Sequence, residues 1–317
     1  MKLIIQISCY NEEDTLAVTL KELPRKVEGF DKVEWLVIDD GCNDNTVKVA
    51  KECGVDYIVN FTKNQGLAKG FIAGLNECVK QGADVIVNTD ADNQYNAKDI
   101  PKLVQPILDH KADFVIGARP ISKIGHFSFM KKMLQKIGSF VVRRASNTDI
   151  PDAPSGFRAI SRDAAMKLNV FNEYTYTLET IIQAGQKGIA VTSVEIEVND
   201  DLRPSKLVKS IVDYIKRSVI TIVRIFVVYR PFKFFISIGI FLFLVGFLIG
   251  ARFIYYYFTG DGDGHVQSLI LAGVLMGIGF QTGLIAFVAD LLAVNRRLLE
   301  DLKYSAKVES AKRSKPE

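Results

Sequence analysis

Over the first two hundred residues, short apolar runs alternate with longer stretches of helical period. Runs of strand length stand at residues 2–8 (KLIIQIS), 33–38 (VEWLVI), 56–60, 84–88 and 114–117. Between them the 3.6-residue period predicts helices at about residues 14–23, 66–81 and 97–110, and one ending near Cys53. Strands alternating with helices of this length predict a parallel, doubly wound α/β sheet. The right-handed crossover rule then lines up the strand-to-helix loops along one edge, where such sheets bind ligands. After Arg119 the rhythm loosens. A basic helix (129–146), a Pro/Asp/Gly turn (149–156), a strand (157–160), a helix at about 176–186 and a strand at 190–198 are expected.

From Pro204 the composition changes. Across 206–229, apolar residues recur at helical spacing from Leu207 to Phe226, interrupted by Lys209, Lys216, Arg217 and Arg224. This is a basic amphipathic helix of the kind that lies in a membrane interface. Residues 232–258 carry only Lys233 and Arg252 as charges, and 268–294 only Asp290. At about 1.5 Å per residue, each span crosses the roughly 30 Å hydrocarbon layer. The connector between them holds Asp261 and Asp263 and neither Lys nor Arg, whereas both flanks are basic. The positive-inside rule therefore predicts a two-helix hairpin in the cell membrane, with the catalytic domain and both termini cytoplasmic.

The expected boundaries are an α/β domain at 1–203, a juxtamembrane helix at 204–231, spans at 232–258 and 268–294, an outer loop at 259–267 and a basic tail at 295–317. That tail is expected to be disordered after Tyr304, and the N-terminus is too short for a signal peptide before the first strand. Gly239, Gly246, Gly250, Gly273, Gly277 and Gly283 would let helices approach closely within or between chains, which leaves a homo-oligomer open.

The net charge of +4 is modest, but basic residues gather at 206–233 and 296–315, beside the spans. A membrane is the expected partner, and nucleic acid is not. The four cysteines, Cys9, Cys42, Cys53 and Cys78, lack metal-ligand spacing and read as reduced small hydrophobes.

The sharpest chemical signal is the run Val85–Val87, which ends in Asp90-Ala91-Asp92-Asn93-Gln94. Side chains alternate along a strand, so Asp90 and Asp92 leave its end on one side. Two carboxylates and the Gln94 amide oxygen suit Mg²⁺ or Mn²⁺, the hard ions that bridge diphosphates.

Five stretches follow one another in order: Ser8-Cys9-Tyr10-Asn11-Glu12-Glu13, Val37-Ile38-Asp39-Asp40-Gly41, Asn64-Gln65-Gly66-Leu67, Asp90-Ala91-Asp92-Asn93-Gln94 and Asp152-Ala153-Pro154-Ser155-Gly156-Phe157-Arg158. Together they resemble an inverting family 2 glycosyltransferase of the GT-A fold. With the two apolar helices, the chain is similar to the polyprenyl-phosphate branch, which includes dolichyl-phosphate mannose synthase and the bacterial undecaprenyl-phosphate glucosyltransferases. The resemblance covers about residues 1–295. It departs from the family at Ser8, where proline is usual, and at Ala68-Lys69, where small residues are usual.

The resemblance implies a nucleotide-sugar donor, UDP- or GDP-linked, a polyprenyl phosphate acceptor, and transfer of one sugar at the cytoplasmic leaflet. It places Tyr10, Asn11, Glu12, Asp39, Asp40 and Asp90 at the nucleotide, and Asp90, Asp92 and Gln94 at the metal. Arg119, Lys132, Arg203 and Lys206 would meet the acceptor phosphate. Asp152 takes the general-base position, with Asp92 as its catalytic companion. A phosphate monoester, however, has its second pKa near about 6 and is already largely dianionic at neutral pH. Asp152 therefore has less need to create a nucleophile than to orient one. Arg158 is expected to fix the Asp152 loop through a carboxylate pair rather than to act in catalysis.

A processive polysaccharide synthase of the same fold needs a translocation channel and an acceptor-end Q-x-x-R-W type motif. Two helices cannot line a channel, and the only tryptophan, Trp35, lies in a strand. A non-catalytic nucleotide-sugar-binding subunit would have lost a metal carboxylate, and both are present.

Overall fold

The computed structural model describes residues 1–120, 133, 138–140, 142–144, 146–170, 176–199, 220, 223–224, 227–260 and 265–313. The chain divides into two compact units, Met1–Val219 with Glu300–Glu317, and Ile220–Leu299.

The first unit is built on one seven-stranded sheet of order β3-β2-β1-β4-β6-β5-β7. Its strands are β1 (Lys2–Cys9), β2 (Lys32–Asp39), β3 (Tyr57–Asn60), β4 (Val85–Asp90), β5 (Phe114–Ala118), β6 (Arg158–Ser161) and β7 (Val191–Glu195). Between them run α1 (Glu13–Glu22), α2 (Thr46–Glu52), α3 (Leu67–Lys80), α4 (Ile100–Leu108), α5 (Arg162–Lys167) and α6 (Thr177–Gln186). Leu3, Ile5, Ile7, Val37, Val85 and Val87 form one core with Leu16 and Leu20 of α1 and Leu103 and Val104 of α4. Gly70 and Gly74 of α3 come close to Ser8, Gln6 and Ile38. Period-two alternation thus puts helices on both faces of the sheet.

The alternating strands β1 to β4 pair in parallel, as expected, and one strand from the looser stretch after Arg119 differs. β6 runs antiparallel to both neighbours, β4 and β5, while every other pairing is parallel. The reason is topological. The Asp152–Phe157 stretch lies at the carboxyl edge of the sheet, where Asp152 meets the Arg119 that follows β5. A strand that starts there must run away from that edge. Inserted between β4 and β5, β6 brings Asp152 into the gap between the residues that end those two strands.

The second unit contains most of two helices, α7 (Pro231–Thr259) and α8 (Val266–Arg313), both long and apolar enough to cross a membrane. Phe241, Leu248 and Leu291 leave about two thirds of their surface uncovered, which suits hydrocarbon surroundings. The two helices touch through small residues. A Cβ on Gly239 would lie 2.8 Å from the Gly279 carbonyl oxygen, and one on Gly246 2.9 Å from that of Ala272.

From Glu300 onward α8 belongs to the first unit. The Glu300 carboxylate pairs with Lys187 Nζ at 2.8 Å, and the Tyr304 hydroxyl donates to Asp163 Oδ1 at 2.7 Å. The stretch after Tyr304 is therefore not a disordered tail: α8 stays helical through Arg313. Most of the amphipathic segment expected at 204–231, and most of the basic helix expected at 129–146, lie outside the described residues.

Candidate active site

β1, β2 and β4 end side by side, with Cys9 in register with Asp39 and Ser8 with Asp90. Their acidic residues therefore gather at the carboxyl edge of the sheet. At the β2 end, the Asp39 Oδ1 accepts the Cys42 N–H at 2.8 Å. Asp40 spends both oxygens on backbone, Oδ1 on the Gln65 N–H at 2.7 Å and Oδ2 on the Gly66 N–H at 2.9 Å. It ties the loop that opens α3 to the end of β2. Asn11, at a positive φ of 54°, accepts the Asn43 N–H on its Oδ1 at 2.9 Å. Glu12 is buried; its N–H donates to Thr46 Oγ1 at 2.9 Å and its carboxylate accepts the Thr15 hydroxyl at 3.1 Å. Tyr10 keeps 41% of its surface exposed at the rim. Five of the six residues expected at the nucleotide thus gather on the first two loops, with Asp90 at the next strand end.

At the β4 end the balance differs. Asp90 is pushed up to about 7 by burial and then by the charge of Asp92, against the pull of Arg119 and Arg158. Like charges this close disfavour each other's ionised form. The Gln94 N–H reaches Asp92 Oδ1 at 3.4 Å, and Asn93 between them takes a φ of 57°. Among the described residues no cluster of three His, Cys, Asp or Glu residues is present. Two hard carboxylates in conflict, with an amide beside them, fit a divalent ion that takes its remaining ligands from water or a diphosphate.

Arg119 and Asp152, expected in separate roles, are paired. The Arg119 Nε donates to Asp152 Oδ2 at 2.7 Å and Nη2 to Oδ1 at 3.0 Å, and the Arg119 backbone N–H adds a third bond at 3.1 Å. Asp152 is fully buried. Burial alone would lower the Arg119 guanidinium, yet Tyr95, Asp152 and Asp90 around it hold it above its ordinary value. Such a two-point fork fixes direction as well as charge. Arg158, also fully buried and pushed down to about 10 by burial, donates to the Ser155 and Ala153 carbonyls at 2.7 and 2.9 Å and to Thr180 Oγ1 at 2.6 Å. It braces the Asp152 loop, but through backbone carbonyls and a hydroxyl rather than the expected carboxylate pair.

Residues 4–168 match the sequence profile of glycosyl transferase family 2. The chain belongs to that family. A dolichyl-phosphate N-acetylglucosaminyltransferase of Methanococcus voltae, named for UDP-N-acetylglucosamine, is 28% identical over 60% of this chain and 83% of its own length. An undecaprenyl-phosphate mannosyltransferase of Micrococcus luteus is 29% identical over 67% of this chain and 90% of its own length. Glucosyl-3-phosphoglycerate synthase of Mycobacterium tuberculosis, solved with Mn²⁺, UDP and glucosyl-3-phosphoglycerate, shares the fold with a TM-score of 0.55. The match covers 71% of this chain and 78% of that one at 18% identity. The protein is thus a glycosyltransferase with a GT-A-like mixed sheet, and some of its relatives are named for polyprenyl-phosphate acceptors.

Of the four cations expected at this glycosyltransferase's acceptor phosphate, only Arg119 falls among the described residues; Lys132, Arg203 and Lys206 lie outside them. Sequence reasoning passed over Asn88, Tyr95 and Tyr176. Asn88 Nδ2 donates to the Gly156 carbonyl at 2.8 Å and to the Tyr176 hydroxyl at 2.9 Å, and the Tyr95 hydroxyl accepts the Gly156 N–H at 2.8 Å. The one hint was position: Asn88 and Tyr95 flank the metal motif on either side.

Proposed function

We propose that this glycosyltransferase moves one sugar from a UDP- or GDP-linked donor to polyprenyl phosphate at the cytoplasmic face of the membrane, inverting the anomeric centre. The observation that carries this reading is the buried Arg119–Asp152 fork set beside the Asp90–Asp92 pair. A phosphate oxygen of the acceptor attacks the sugar C1, the bond from C1 to the diphosphate oxygen breaks, and the nucleoside diphosphate leaves with that electron pair. Asp90, Asp92 and Gln94 would hold a Mg²⁺ or Mn²⁺ ion, whose charge stabilises the departing diphosphate. Asp39, Glu12 and Tyr10 face the nucleoside, and Asp40 and Asn11 shape its loops.

Arg119 binds the acceptor phosphate, and Asp152 aims it. A dianionic nucleophile needs no base, so Asp152 acts by keeping the guanidinium in place. The relatives named for dolichyl and undecaprenyl phosphate, and the two membrane-length helices, support a lipid acceptor.

The test uses the full chain in detergent with Mn²⁺ or Mg²⁺, undecaprenyl phosphate and a panel of radiolabelled nucleotide sugars. Label from one donor should enter the lipid extract and be lost in Asp92→Ala. No label from any donor, in protein that still binds nucleotide, would rule out this acceptor.

A further inference from the structure

We propose that Tyr95 and Asn88 are positioning residues that grip Gly156 from both sides and seat the acceptor loop directly against the metal carboxylate Asp90. The inference rests on the roles given above to Asp90 and to the Asp152 loop, and adds a mechanical link between them.

Gly156 has both of its backbone groups bound by side chains. Its N–H donates to the Tyr95 hydroxyl at 2.8 Å, and its carbonyl accepts from Asn88 Nδ2 at 2.8 Å. Asn88 has no freedom to turn. Its second N–H goes to the Tyr176 hydroxyl at 2.9 Å, and its Oδ1 accepts from Gln6 Nε2 at 2.8 Å. The rings that supply these hydroxyls are themselves packed, Tyr95 on Phe157 at 5.2 Å and Tyr176 on Phe71 at 3.8 Å. Linked buried hydrogen bonds of this kind stiffen the segment they hold.

The grip presses Gly156 onto the metal site. A Cβ there would stand 3.0 and 3.1 Å from the two Asp90 carboxylate oxygens and 3.2 Å from the Tyr176 hydroxyl. A side chain at this position would make the loop or the carboxylate give way by a few tenths of an ångström. Toward Asp152 the loop has little slack, because Arg158 binds the Ala153 and Ser155 carbonyls and Ser139 Oγ accepts the Ala153 N–H at 3.3 Å. A shift at Gly156 is therefore passed both to Asp90 and to the Arg119–Asp152 fork. An acceptor-side residue that is not a ligand thus governs metal binding.

The experiment compares wild type, Gly156→Ala and Tyr95→Phe as full chains in detergent. Mn²⁺ binding is measured by electron paramagnetic resonance, alone and with UDP or GDP, and hydrogen exchange is followed in peptides spanning 152–160. Gly156→Ala should weaken Mn²⁺ by about tenfold or more, the scale of a metal site with a disturbed outer shell. Tyr95→Phe should weaken Mn²⁺ by a smaller factor than Gly156→Ala does, raise exchange in 152–160 and lower kcat by about 10–100-fold, the cost of misplaced reacting groups. Wild-type Mn²⁺ affinity in Gly156→Ala, or wild-type exchange in Tyr95→Phe, overturns the proposal, and the second variant decides if the first does not fold. Wild-type protein with a protected loop and bound Mn²⁺ that glycosylates no polyprenyl phosphate refutes the acceptor assignment while the grip stands.

Discussion

Two strand ends in this enzyme carry paired aspartates, and they have opposite fates. At the end of β2, Asp40 gives both oxygens to the N–H groups of Gln65 and Gly66, and Asp39 accepts from Cys42. At the end of β4, Asp90 and Asp92 work against each other, and Asp90 resists ionisation up to about pH 7. The first pair is compensated by backbone and holds a loop. In the second the charge of Asp92 works against that of Asp90, a conflict that a cation would relieve. Paired acidic residues at a strand end therefore point to a ligand more strongly where they oppose each other than where backbone donors hold them.

Substitutions at the two ends should separate accordingly. The largest effect is expected from Asp92→Ala, which should reduce sugar transfer by at least about 10²–10³-fold, the scale of losing a transition-state charge stabiliser, with little change in Tm. Asp40→Ala should do the reverse. It leaves two backbone donors without their acceptors, costs about 2 kcal/mol and lowers Tm by roughly 4–8 °C, as calorimetry would record. An Asp40→Ala protein with unchanged Tm and no activity would erase the distinction.

The pH dependence of the metal-free protein gives a third test. Asp90 has a raised folded pKa, so between its ordinary value of 3.8 and about 7 the folded state holds a proton that the unfolded state has released. Stability therefore falls as pH rises through that window, by at most about 1.4 kcal/mol per pH unit. Asp90→Asn should flatten this slope and stabilise the metal-free protein at pH 8. Thermal melts in chelator from pH 5 to 8 would check it; an unchanged slope in the variant would assign the effect elsewhere.

The smallest of these effects is expected at the fork. Arg119→Lys keeps the charge and loses the two-point grip, so the acceptor KM should rise about tenfold while nucleotide affinity stays within about twofold. Asp152→Asn should lower kcat without moving the acidic limb of the pH–rate profile. Loss of that limb would make Asp152 a general base.

The nucleotide half was legible because its signals are local. Apolar runs that stop at Asp39 and Asp90 mark buried strands and their ends, and β1, β2 and β4 fall within a residue or two of the expected ranges. The direction of β6 was not legible, since alternation along a strand is the same read from either end. α5 was missed because six residues carry too little helical period, although Ser161 caps it by accepting the Ala164 N–H. Arg119 and Asp152 were each singled out, but nothing local joins two residues 33 positions apart. Asn88 and Tyr95 act only through the backbone of Gly156, a relation that exists once the sheet is closed.

The docked end of α8 changes what the membrane hairpin is. The chain leaves the catalytic unit at Val219 and re-enters it at Glu300. In sequence the second unit is thus an insertion within the first, which resumes at Glu300. The same topology warns against trimming. A fragment stopping before Glu300 would strip Lys187 of its carboxylate partner and Asp163 of the Tyr304 hydroxyl, and what looks like a spare terminus would be a missing wall.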